Sequence, residues 1–461
     1  PAVCGRICNR RCEDACTRGT VDQAVAIDEV KRFIAQQDLD AATRFVPEKV
    51  IPKVDGAFDQ QIAIIGGGPA GLSCAYYLAE KGYRPTVFEK ERRLGGMLEN
   101  GLPSFRLEKD VVQAEIDVLR EMGVQFRCGV EVGKDVTIAQ LREQGYQGFY
   151  VAVGLQSGGR LNIPGDDAQG VTAGIDFMRR VNGGQETKLE GRVVVIGGGN
   201  IAADVARTAV RCGAESVDLY CLESYDDMPM GPEDRGECER DGITIHAGWG
   251  QTEIVTENGH AAGIRFRKCL RVKNDQGRFA PEFDDNDTCQ AQCAAVLYCI
   301  GQKVDWRQLL TGTAVTFNPN GTAQVDPVTY QTAEPGIFAG GDAVTGQKFA
   351  IDAIAAGKEG AISLHRFVQK ATLTIGRNRR QFVELDKENA LIPVGFDNTP
   401  RQQIGYNEAL RRTFRDERIA FTAQQVQKET ARCLSCGASV VDPNKCIGCG
   451  VCTTKCAFDA I

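Results

Sequence analysis

Apolar residues gather in short runs at three places along the chain, and each run ends at glycines. The runs are QIAIIGGGPAG from residue 61, RVVVIGGGNIA from residue 192 and GIFAGGDAVTG from residue 336. A short apolar run that stops at a glycine-rich turn is typical of a buried parallel strand. Small and apolar residues at helical spacing follow the first two runs, so both places predict a strand, a tight loop and a helix.

The first two of these units share one design and lie about 130 residues apart, which indicates an internal duplication. Strands that alternate with helices predict an α/β protein with a parallel sheet around each loop. We therefore expect two Rossmann-like dinucleotide-binding domains.

The first loop carries the spacing G-x-G-x-x-G. A tight turn, close approach of a pyrophosphate, and close packing of the helix on the strand each require a glycine. The next strand ends at Glu89, where an acid hydrogen-bonds the ribose of a bound dinucleotide. A glycine-rich turn without a ligand is the alternative. The loop residues are Gly66, Gly68, Pro69, Ala70 and Gly71.

The second loop holds Gly197 and Gly199 at the first two glycine positions, and we expect Ala203 to fill the last, where alanine is tolerated. The strand after it, in SVDLYCLES from residue 216, is expected to end at Glu223. That acid follows the loop by about 20 residues, as a ribose contact does. An acid that ends a strand and contacts only water is the alternative.

Length and charge exclude several classes of protein. With 461 residues the chain is long enough for roughly two to four domains. A net charge of -7 with scattered basic residues argues against nucleic-acid binding. No apolar run reaches the roughly 18 residues of a membrane span, and no signal peptide is recognisable, so we expect a cytoplasmic protein. Only three histidines occur, which disfavours mixed zinc sites and histidine catalysis.

Nineteen cysteines occur, and ten of them lie in two groups at the ends of the chain. Such clustering suits metal ligation better than disulfide bridges. The first group has the spacing C-x3-C-x3-C-x3-C and predicts an iron-sulfur site, with a redox or zinc role as the alternative. Its members are Cys4, Cys8, Cys12 and Cys16.

The second group contains the ferredoxin run C-x2-C-x2-C-x3-C, with Ala457 at the usual proline position. This spacing predicts a 4Fe-4S cluster, with a structural zinc knuckle as the alternative. Two earlier cysteines either supply a fourth ligand or help to bind a second cluster. Both cysteine groups look cut at the chain ends, so we expect a piece of a longer polypeptide. The predicted ligands are Cys433, Cys436, Cys446, Cys449, Cys452 and Cys456.

Several longer motifs resemble one family of flavoproteins. Two dinucleotide-binding units, with FAGGDAVTG after the second, resemble the two-domain flavoproteins in which a nicotinamide domain interrupts an FAD domain. More closely, the chain resembles the small subunit of glutamate synthase and its relatives, including dihydropyrimidine dehydrogenase and the ferredoxin-NADP oxidoreductase subunits of bifurcating enzymes. The motifs are PAVCGRICNRRCEDACTRG, AIDEVKRF, GGMLENGLPSFRL, GGGNIAADVARTAVRCGA, MPM and ARCLSCG.

The resemblance implies FAD on the first unit and a nicotinamide nucleotide on the second. It further implies that Asp342 approaches the pyrophosphate and ribitol of FAD and that Ala350 and Ile351 open a helix toward the isoalloxazine. The other implied FAD contacts are Gly95, Gly96, Met97, Arg106 and Gly341. The implied nicotinamide contacts at the phosphate turn are Asn200 and Ile201.

The resemblance also divides the chain into segments. An α/β core with two Rossmann-like domains is expected, preceded by a helical iron-sulfur segment and followed by a ferredoxin-like one. The expected bounds are 1–58 for the helical segment, 59–165 and 301–375 for the FAD domain, 166–300 for the nicotinamide domain, 376–432 for an extension and 433–461 for the ferredoxin-like segment.

One departure from the family bears on the choice of nucleotide. In NADPH-using relatives the second strand ends in Tyr-Arg-Arg, and the arginines bind the 2′-phosphate. Cys221, Leu222 and Glu223 occupy those places here. A carboxylate accepts hydrogen bonds from ribose hydroxyls and repels a 2′-phosphate, so we predict NADH over NADPH. Arg207 and Arg211 remain as cations that could reach the phosphate from elsewhere.

Three functions are compatible with these residues. The first is an NADH-linked FAD and iron-sulfur module that passes electrons to a partner, such as ferredoxin or an iron-sulfur subunit, with or without electron bifurcation. The second is the small subunit of an NADPH glutamate synthase. The third is a cluster-carrying scaffold without catalysis. Neither nucleotide domain contains a C-x2-C pair, so a redox-active disulfide is disfavoured.

Overall fold

The computed structural model describes residues 1–48, 58–185, 187–377, 386–387, 392, 394–436 and 447–448. Its first segment is helical. The helices are α1 (Cys4–Ile7), α2 (Arg11–Asp14) and α3 (Ile27–Asp40), with a 3-10 turn at Thr17–Thr20. Arg10, which has a φ of +56°, turns the chain between α1 and α2. The four N-terminal cysteines therefore do not lie along one continuous helix.

The first nucleotide domain begins with the apolar run QIAII, which forms a strand whose last four residues are buried. Its helices and strands alternate in the way that the sequence pattern predicts. They are β1 (Gln61–Ile65), α4 (Pro69–Glu80), β2 (Thr86–Glu89), α5 (Met97–Asn100), α6 (Lys109–Glu121), β3 (Gln125–Cys128), α7 (Ile138–Glu143), β4 (Tyr146–Val151) and β5 (Ser157–Gly158).

The second nucleotide domain repeats this alternation and adds a long antiparallel hairpin. Its elements are β6 (Val171–Ala173), α8 (Gly174–Asn182), β7 (Arg192–Ile196), α9 (Asn200–Arg211), β8 (Ser216–Cys221), α10 (Pro232–Arg240), β9 (Thr244–Ala247), β10 (Trp249–Glu257), β11 (His260–Lys273), β12 (Phe279–Gln292), β13 (Ala295–Tyr298) and β14 (Gln302–Lys303). A parallel sheet has the order β6-β13-β7-β8-β9, and β10, β11 and β12 form a separate antiparallel sheet.

After this second domain the chain returns to the first sheet. The returning elements are β15 (Ile337–Ala339), α11 (Asp342–Thr345) and α12 (Ala350–Val368). Strand β15 pairs in parallel with β4, which completes a sheet of order β15-β4-β1-β2-β3. Helix α12 packs on α4 against the apolar face of that sheet. The predicted α/β fold with two Rossmann-like sheets, one interrupting the other, is therefore confirmed.

The part of the chain from residue 394 to 432 lies against the N-terminal segment. Its elements are β16 (Gly405–Tyr406), a 3-10 turn at Glu408–Leu410, β17 (Arg418–Ile419) and α13 (Ala423–Ala431). Arg432 follows α13, and its guanidinium donates to Asp22 and to Glu429, both at 3.0 Å or less. Both Arg432 and Glu429 are fully buried. The segment from residue 394 to 432 is called the C-terminal extension below.

None of the described helices is long and apolar enough to cross a membrane.

Candidate functional site

The first glycine-rich loop connects β1 to α4 in a tight turn. Gly66 has a φ of +108°, and a β-carbon there would lie 2.4 Å from the carbonyl oxygen of Ala152. A β-carbon on Gly71 would lie 1.9 Å from the carbonyl oxygen of Gly66. Pro69 occupies the first turn of α4, where its missing N–H costs no helical hydrogen bond. The N-terminus of α4 therefore meets the loop as a pyrophosphate site requires.

Glu89 lies at the end of β2, as predicted. Its carboxylate accepts the N–H of Gly67 at 2.7 Å and the N–H of Glu91 at 2.9 Å. Burial raises the pKa of this carboxyl group, and the two amide donors oppose the rise. Each oxygen keeps a second lone pair, so a ribose hydroxyl can still donate to it.

The segment from Gly95 to Leu107, called the 95–107 loop below, lies directly against the first glycine-rich loop. A β-carbon on Gly96 would lie 2.8 Å from the Cα of Gly68, so only glycine allows this approach. Met97 opens α5 and lines the same cavity. Arg106 also lines the cavity, but its guanidinium donates to carboxylates of the second domain rather than standing free for a flavin.

The returning segment brings Gly341 and Asp342 to the same loop. Gly341 has a φ of +69°, and a β-carbon there would lie 2.9 Å from the β-carbon of Ala70. Burial raises the pKa of Asp342 to about 6. Ala350 begins α12 and lines the cavity, whereas Ile351 is 40% exposed and is not part of the cavity wall.

The second glycine-rich loop connects β7 to α9 with the same geometry. Gly197 has a φ of +137°, and a β-carbon there would lie 2.6 Å from the carbonyl oxygen of Cys299. A β-carbon on Gly199 would meet no atom within 4 Å, so space for a phosphate lies above it. Asn200 and Ile201 open α9 and line the cavity. The expectation that Ala203 fills the last glycine position is wrong by one residue, because Ala202 follows Gly199 by three residues, as Gly71 follows Gly68. Both alanines are fully buried.

The expectation that Glu223 closes the second strand is wrong by two residues, because β8 ends at Cys221. The strand pairings make Tyr220 the counterpart of Phe88, so Cys221 holds the position that Glu89 holds in the first domain. Glu223 lies in the following turn, and its Oε2 would be 2.8 Å from a β-carbon on Gly198. Its carboxylate therefore faces the middle of the glycine-rich loop.

Arg207 and Arg211, on the same helix as the loop, are bound elsewhere. Arg207 donates to Asp241 at 2.8 Å and to Glu417 at 3.1 Å. Arg211 donates to Asp241 at 2.7 Å. Both guanidinium groups lie over the ring of Phe105, so this face of α9 is turned toward the 95–107 loop and the C-terminal extension.

Both glycine-rich loops open into one cavity of about 1720 Å³. This volume exceeds the upper end of ordinary small-molecule sites, as two dinucleotides require. Sequence reasoning missed part of the wall, including the turn after β4 and the stretch 305–309. The first of these carries a signal, since Gly154 follows an apolar strand with a φ of +64°. Cys8 and Arg10 line the cavity as well, so the N-terminal segment adjoins it.

The predicted cluster ligands are only partly placed. Within the parts of the chain that the structure describes, no group of three or more His, Cys, Asp or Glu side chains is close enough to hold a metal ion. The side chains of the four N-terminal cysteines are therefore not gathered at one point in this structure. Cys433 and Cys436 are exposed, and the carbonyl of Arg432 beside them accepts from Arg18 at 3.0 Å. Cys446, Cys449, Cys452 and Cys456 lie outside the described residues.

Three regions of the chain match known families. Residues 60–357 match the family described as pyridine nucleotide-disulphide oxidoreductase. Residues 1–43 match domain II of dihydropyrimidine dehydrogenase, described with a 4Fe-4S cluster, and residues 439–461 match a 4Fe-4S binding domain. The predicted cofactors, FAD, a nicotinamide nucleotide and 4Fe-4S clusters, are confirmed by these matches.

Two similar proteins and one similar structure extend this result. The NADP(+)-dependent formate dehydrogenase subunit beta of Moorella thermoacetica is 34% identical over 94% of this chain, which spans 65% of that subunit. The glutamate synthase (NADPH) small chain of Escherichia coli is 31% identical over 80% of this chain and 81% of its own length, which confirms the predicted resemblance. FprA of Mycobacterium tuberculosis in complex with NADPH shares the fold, with a TM-score of 0.58 and 16% identity over 82% of this chain and all of its own.

Proposed function

The chain belongs to the pyridine nucleotide-disulphide oxidoreductase family, and on that premise we propose that it is an NADH-linked FAD and iron-sulfur electron-transfer module of a larger redox complex. It would work in the cytoplasm, where thiol ligands stay reduced. Its partner would be ferredoxin or an iron-sulfur subunit.

The single cavity shared by two glycine-rich loops carries this proposal. The first loop suits FAD, because Gly341 of the returning segment lies against Ala70 and the carboxylate of Glu89 lies against the loop. The second loop has open space above Gly199 and therefore suits a nicotinamide nucleotide, which must bind and dissociate in each turnover. FAD, when bound, accepts a hydride from a reduced nicotinamide and releases its electrons singly to iron-sulfur clusters.

The preference for NADH rests on the carboxylate of Glu223. It faces Gly198 in the middle of the second loop, where it would accept hydrogen bonds from ribose hydroxyls and repel a 2′-phosphate. The two nearby arginines on α9 are held by Asp241 and Glu417, so neither is free to bind that phosphate. The two relatives named above carry NADP in their names, and this chain differs from the NADPH-using pattern at Leu222 and Glu223.

An anaerobic titration of the holoenzyme with NADH and with NADPH tests the proposal. Flavin absorbance would report reduction by each nucleotide, and EPR would report electrons that reach the clusters. We expect NADH to bleach the flavin and to produce reduced-cluster signals, with NADPH much slower. Bleaching by NADPH but not by NADH would contradict the nucleotide preference and favour an activity like that of the glutamate synthase small chain. No bleaching by either nucleotide, in protein that retains FAD, would favour a scaffold without catalysis.

A further inference from the structure

The 95–107 loop belongs to the first nucleotide domain but is bound by the second. Asn182, at the end of α8, donates its side-chain amide to the carbonyl oxygens of Asn100 at 3.0 Å and Leu102 at 2.9 Å. From within the first domain, Lys109 donates to the carbonyls of Leu98 at 2.8 Å and Leu102 at 2.5 Å. Backbone carbonyls of one short loop are therefore shared between two domains.

Arg106 makes the strongest of these links. Its Nε donates to Asp204 at 2.6 Å and its Nη2 to Asp234 at 2.7 Å, while Glu237 lies 3.5 Å from Nη2. Asp204 lies on α9, about one turn beyond the second glycine-rich loop, and Asp234 lies on α10. Both aspartates are nearly buried, at 5% and 9% exposed. One planar guanidinium thus joins two helices of the second domain to the loop that touches Gly68 of the first.

The C-terminal extension also binds the backbone of the 95–107 loop at Arg106. Arg418 donates to the carbonyl oxygen of Arg106 at 2.9 Å and to that of Arg6 at 3.0 Å. Its other contacts are with Asp416, at 2.8 Å. The backbone of Arg106 is therefore held by the extension, while its side chain holds the second domain.

We propose that Arg106 is a positioning residue that fixes the nicotinamide domain against the FAD domain. Because it binds the helix that begins at the second loop and stands on the loop that touches the first, it sets the separation of the two nucleotide sites. This inference rests on the proposed function, in which the two nucleotides react with each other. A misplacement of about 1 Å between reacting groups costs on the order of a hundredfold in rate.

The geometry distinguishes arginine from lysine at this position. Arginine reaches Asp204 and Asp234 together because its nitrogen atoms form a rigid fork, whereas a lysine ammonium is a single point charge. Arg106→Lys should therefore keep the positive charge but hold the second domain in position only in part. Asp234→Asn, which keeps the pair with Asp204, should weaken the link without leaving Arg106 unpaired.

Two measurements on the holoenzyme test this role. Hydrogen-deuterium exchange of helices α9 and α10 reports how firmly the second domain is held, without any need for activity. Stopped-flow reduction of the flavin by NADH separates the limiting rate from the apparent dissociation constant. Arg142→Ala is the matched control, because Arg142 pairs with Glu334 at 2.8 Å within the first domain and is 41% exposed.

For Arg106→Ala we expect faster exchange in α9 and α10 and a limiting reduction rate lower by on the order of tenfold to a hundredfold, with little change in the NADH dissociation constant. Arg106→Lys and Asp234→Asn should fall between this variant and the wild type, and Arg142→Ala should match the wild type. If Arg106→Ala does not fold, the two milder variants decide the question.

Unchanged exchange together with an unchanged limiting rate would overturn the proposal. So would loss of FAD from Arg106→Ala with unchanged exchange in α10, because Arg106 would then be a flavin contact only. If neither nucleotide reduces the wild-type flavin, the proposed function fails, and the exchange data alone decide whether Arg106 holds the domains together.

Discussion

The two glycine-rich loops are nearly the same, but the acids that face them are not placed alike. In the first domain Glu89 is the last residue of its strand and accepts two backbone N–H groups. In the second domain Cys221 holds the matching position, and Glu223 reaches the loop from the next turn. The two loops thus share one geometry, whereas the acids beside them differ in position.

The contacts that cover the helix after each loop differ even more. Helix α4 of the first domain is covered by α12, where a β-carbon on Gly357 would lie 2.3 Å from the carbonyl oxygen of Ala70. Helix α9 of the second domain is covered by ion pairs, chiefly those of Arg207. Close backbone packing, as between α12 and α4, is typical of a site whose cofactor stays bound. A layer of ion pairs, as on α9, is typical of a domain that is held in place by specific contacts. The following changes test this difference, beginning with the largest expected effect.

Arg207→Ala should be the most damaging change to the second domain. The guanidinium is 3% exposed and serves Asp241, Glu237 and Glu417. Although burial alone would raise it, the pKa of Asp241 is lowered because Arg207 and Arg211 donate to it. Removal of Arg207 leaves buried carboxylates with less counter-charge, and we expect a loss of about 3 to 5 kcal/mol in the free energy of unfolding. Denaturant titration followed by circular dichroism would measure it.

Arg192→Ala is the control for this prediction. Arg192 is 53% exposed and lies 3.5 Å from Asp218 in the same domain. We expect it to cost less than about 1 kcal/mol, as surface ion pairs do. Equal losses in the two variants would show that the buried ion pairs around Arg207 do not hold this layer together.

Gly71→Ala should be the next most damaging change, and it acts on the first domain. The added β-carbon would lie 1.9 Å from the carbonyl oxygen of Gly66, so α4 would have to move away from the loop. Overpacking of this kind costs about 1 to 3 kcal/mol, and we expect the purified protein to lose most of its FAD absorbance.

The second domain offers the reverse substitution at the matching place. Ala202 is fully buried and already supplies the β-carbon that the first domain cannot hold. Ala202→Gly should cost about 1 kcal/mol through helix propensity alone and should leave the FAD content unchanged. Retention of FAD by Gly71→Ala would mean that the first loop tolerates a wider separation from its helix than its geometry indicates.

Much of this comparison could be predicted from the sequence. Glycines at positions 66 and 197 mark turns with a positive φ, Gly71 marks the close packing of a helix on its loop, and the apolar runs before the loops mark buried strands. The end of β8 could not be predicted, because the alternation of SVDLYCLES continues past Cys221. A strand stops where its neighbour stops, and that neighbour, β9, is distant in sequence.

The partners of long charged side chains were the other feature that could not be predicted from the sequence. The family motif placed Arg106 in the correct loop, but the partners that orient its guanidinium come from α9 and α10 of the other domain. The direction of Arg207 likewise depends on Glu417 in the C-terminal extension. The turn at Arg10 has no local signal at all, because arginine has no preference for a left-handed backbone.

The two acids can be compared directly through matched amide substitutions. Glu223→Gln should raise the dissociation constant for NADH about tenfold, which corresponds to about 1.4 kcal/mol, because hydrogen bonds to a charged acceptor are lost. Its FAD content should not change. Glu89→Gln should instead weaken FAD binding by a similar factor, because an amide has one oxygen to serve two backbone donors. NADH titration and flavin release measure the two effects.

The comparison of the two acids would fail if one substitution affected the binding of both nucleotides. If Glu223→Gln lowers FAD content, the second loop is not a separate nucleotide site. If it leaves NADH affinity unchanged while NADPH binding also stays weak, another group reads the ribose.

The smallest expected effect concerns Asp342, whose counterpart in the second domain by strand pairing, Asp176, is 54% exposed. Its pKa is about 6 in the folded chain, raised by burial from an ordinary value near 3.8. Because the folded state binds this proton more tightly than the unfolded state, the contribution to stability is full below the unfolded pKa and is lost as the pH rises through about 6. Asp342→Asn should therefore gain stability relative to the wild type between pH 5.5 and pH 8, by up to about 1 kcal/mol. Thermal unfolding of the FAD-free chain at both pH values measures this gain, with Asp275→Asn as the control because Asp275 is 94% exposed. A gain that is the same at both pH values would mean that the carboxyl of Asp342 does not titrate in this range, and that burial of this acid is offset by donors as it is at Glu89.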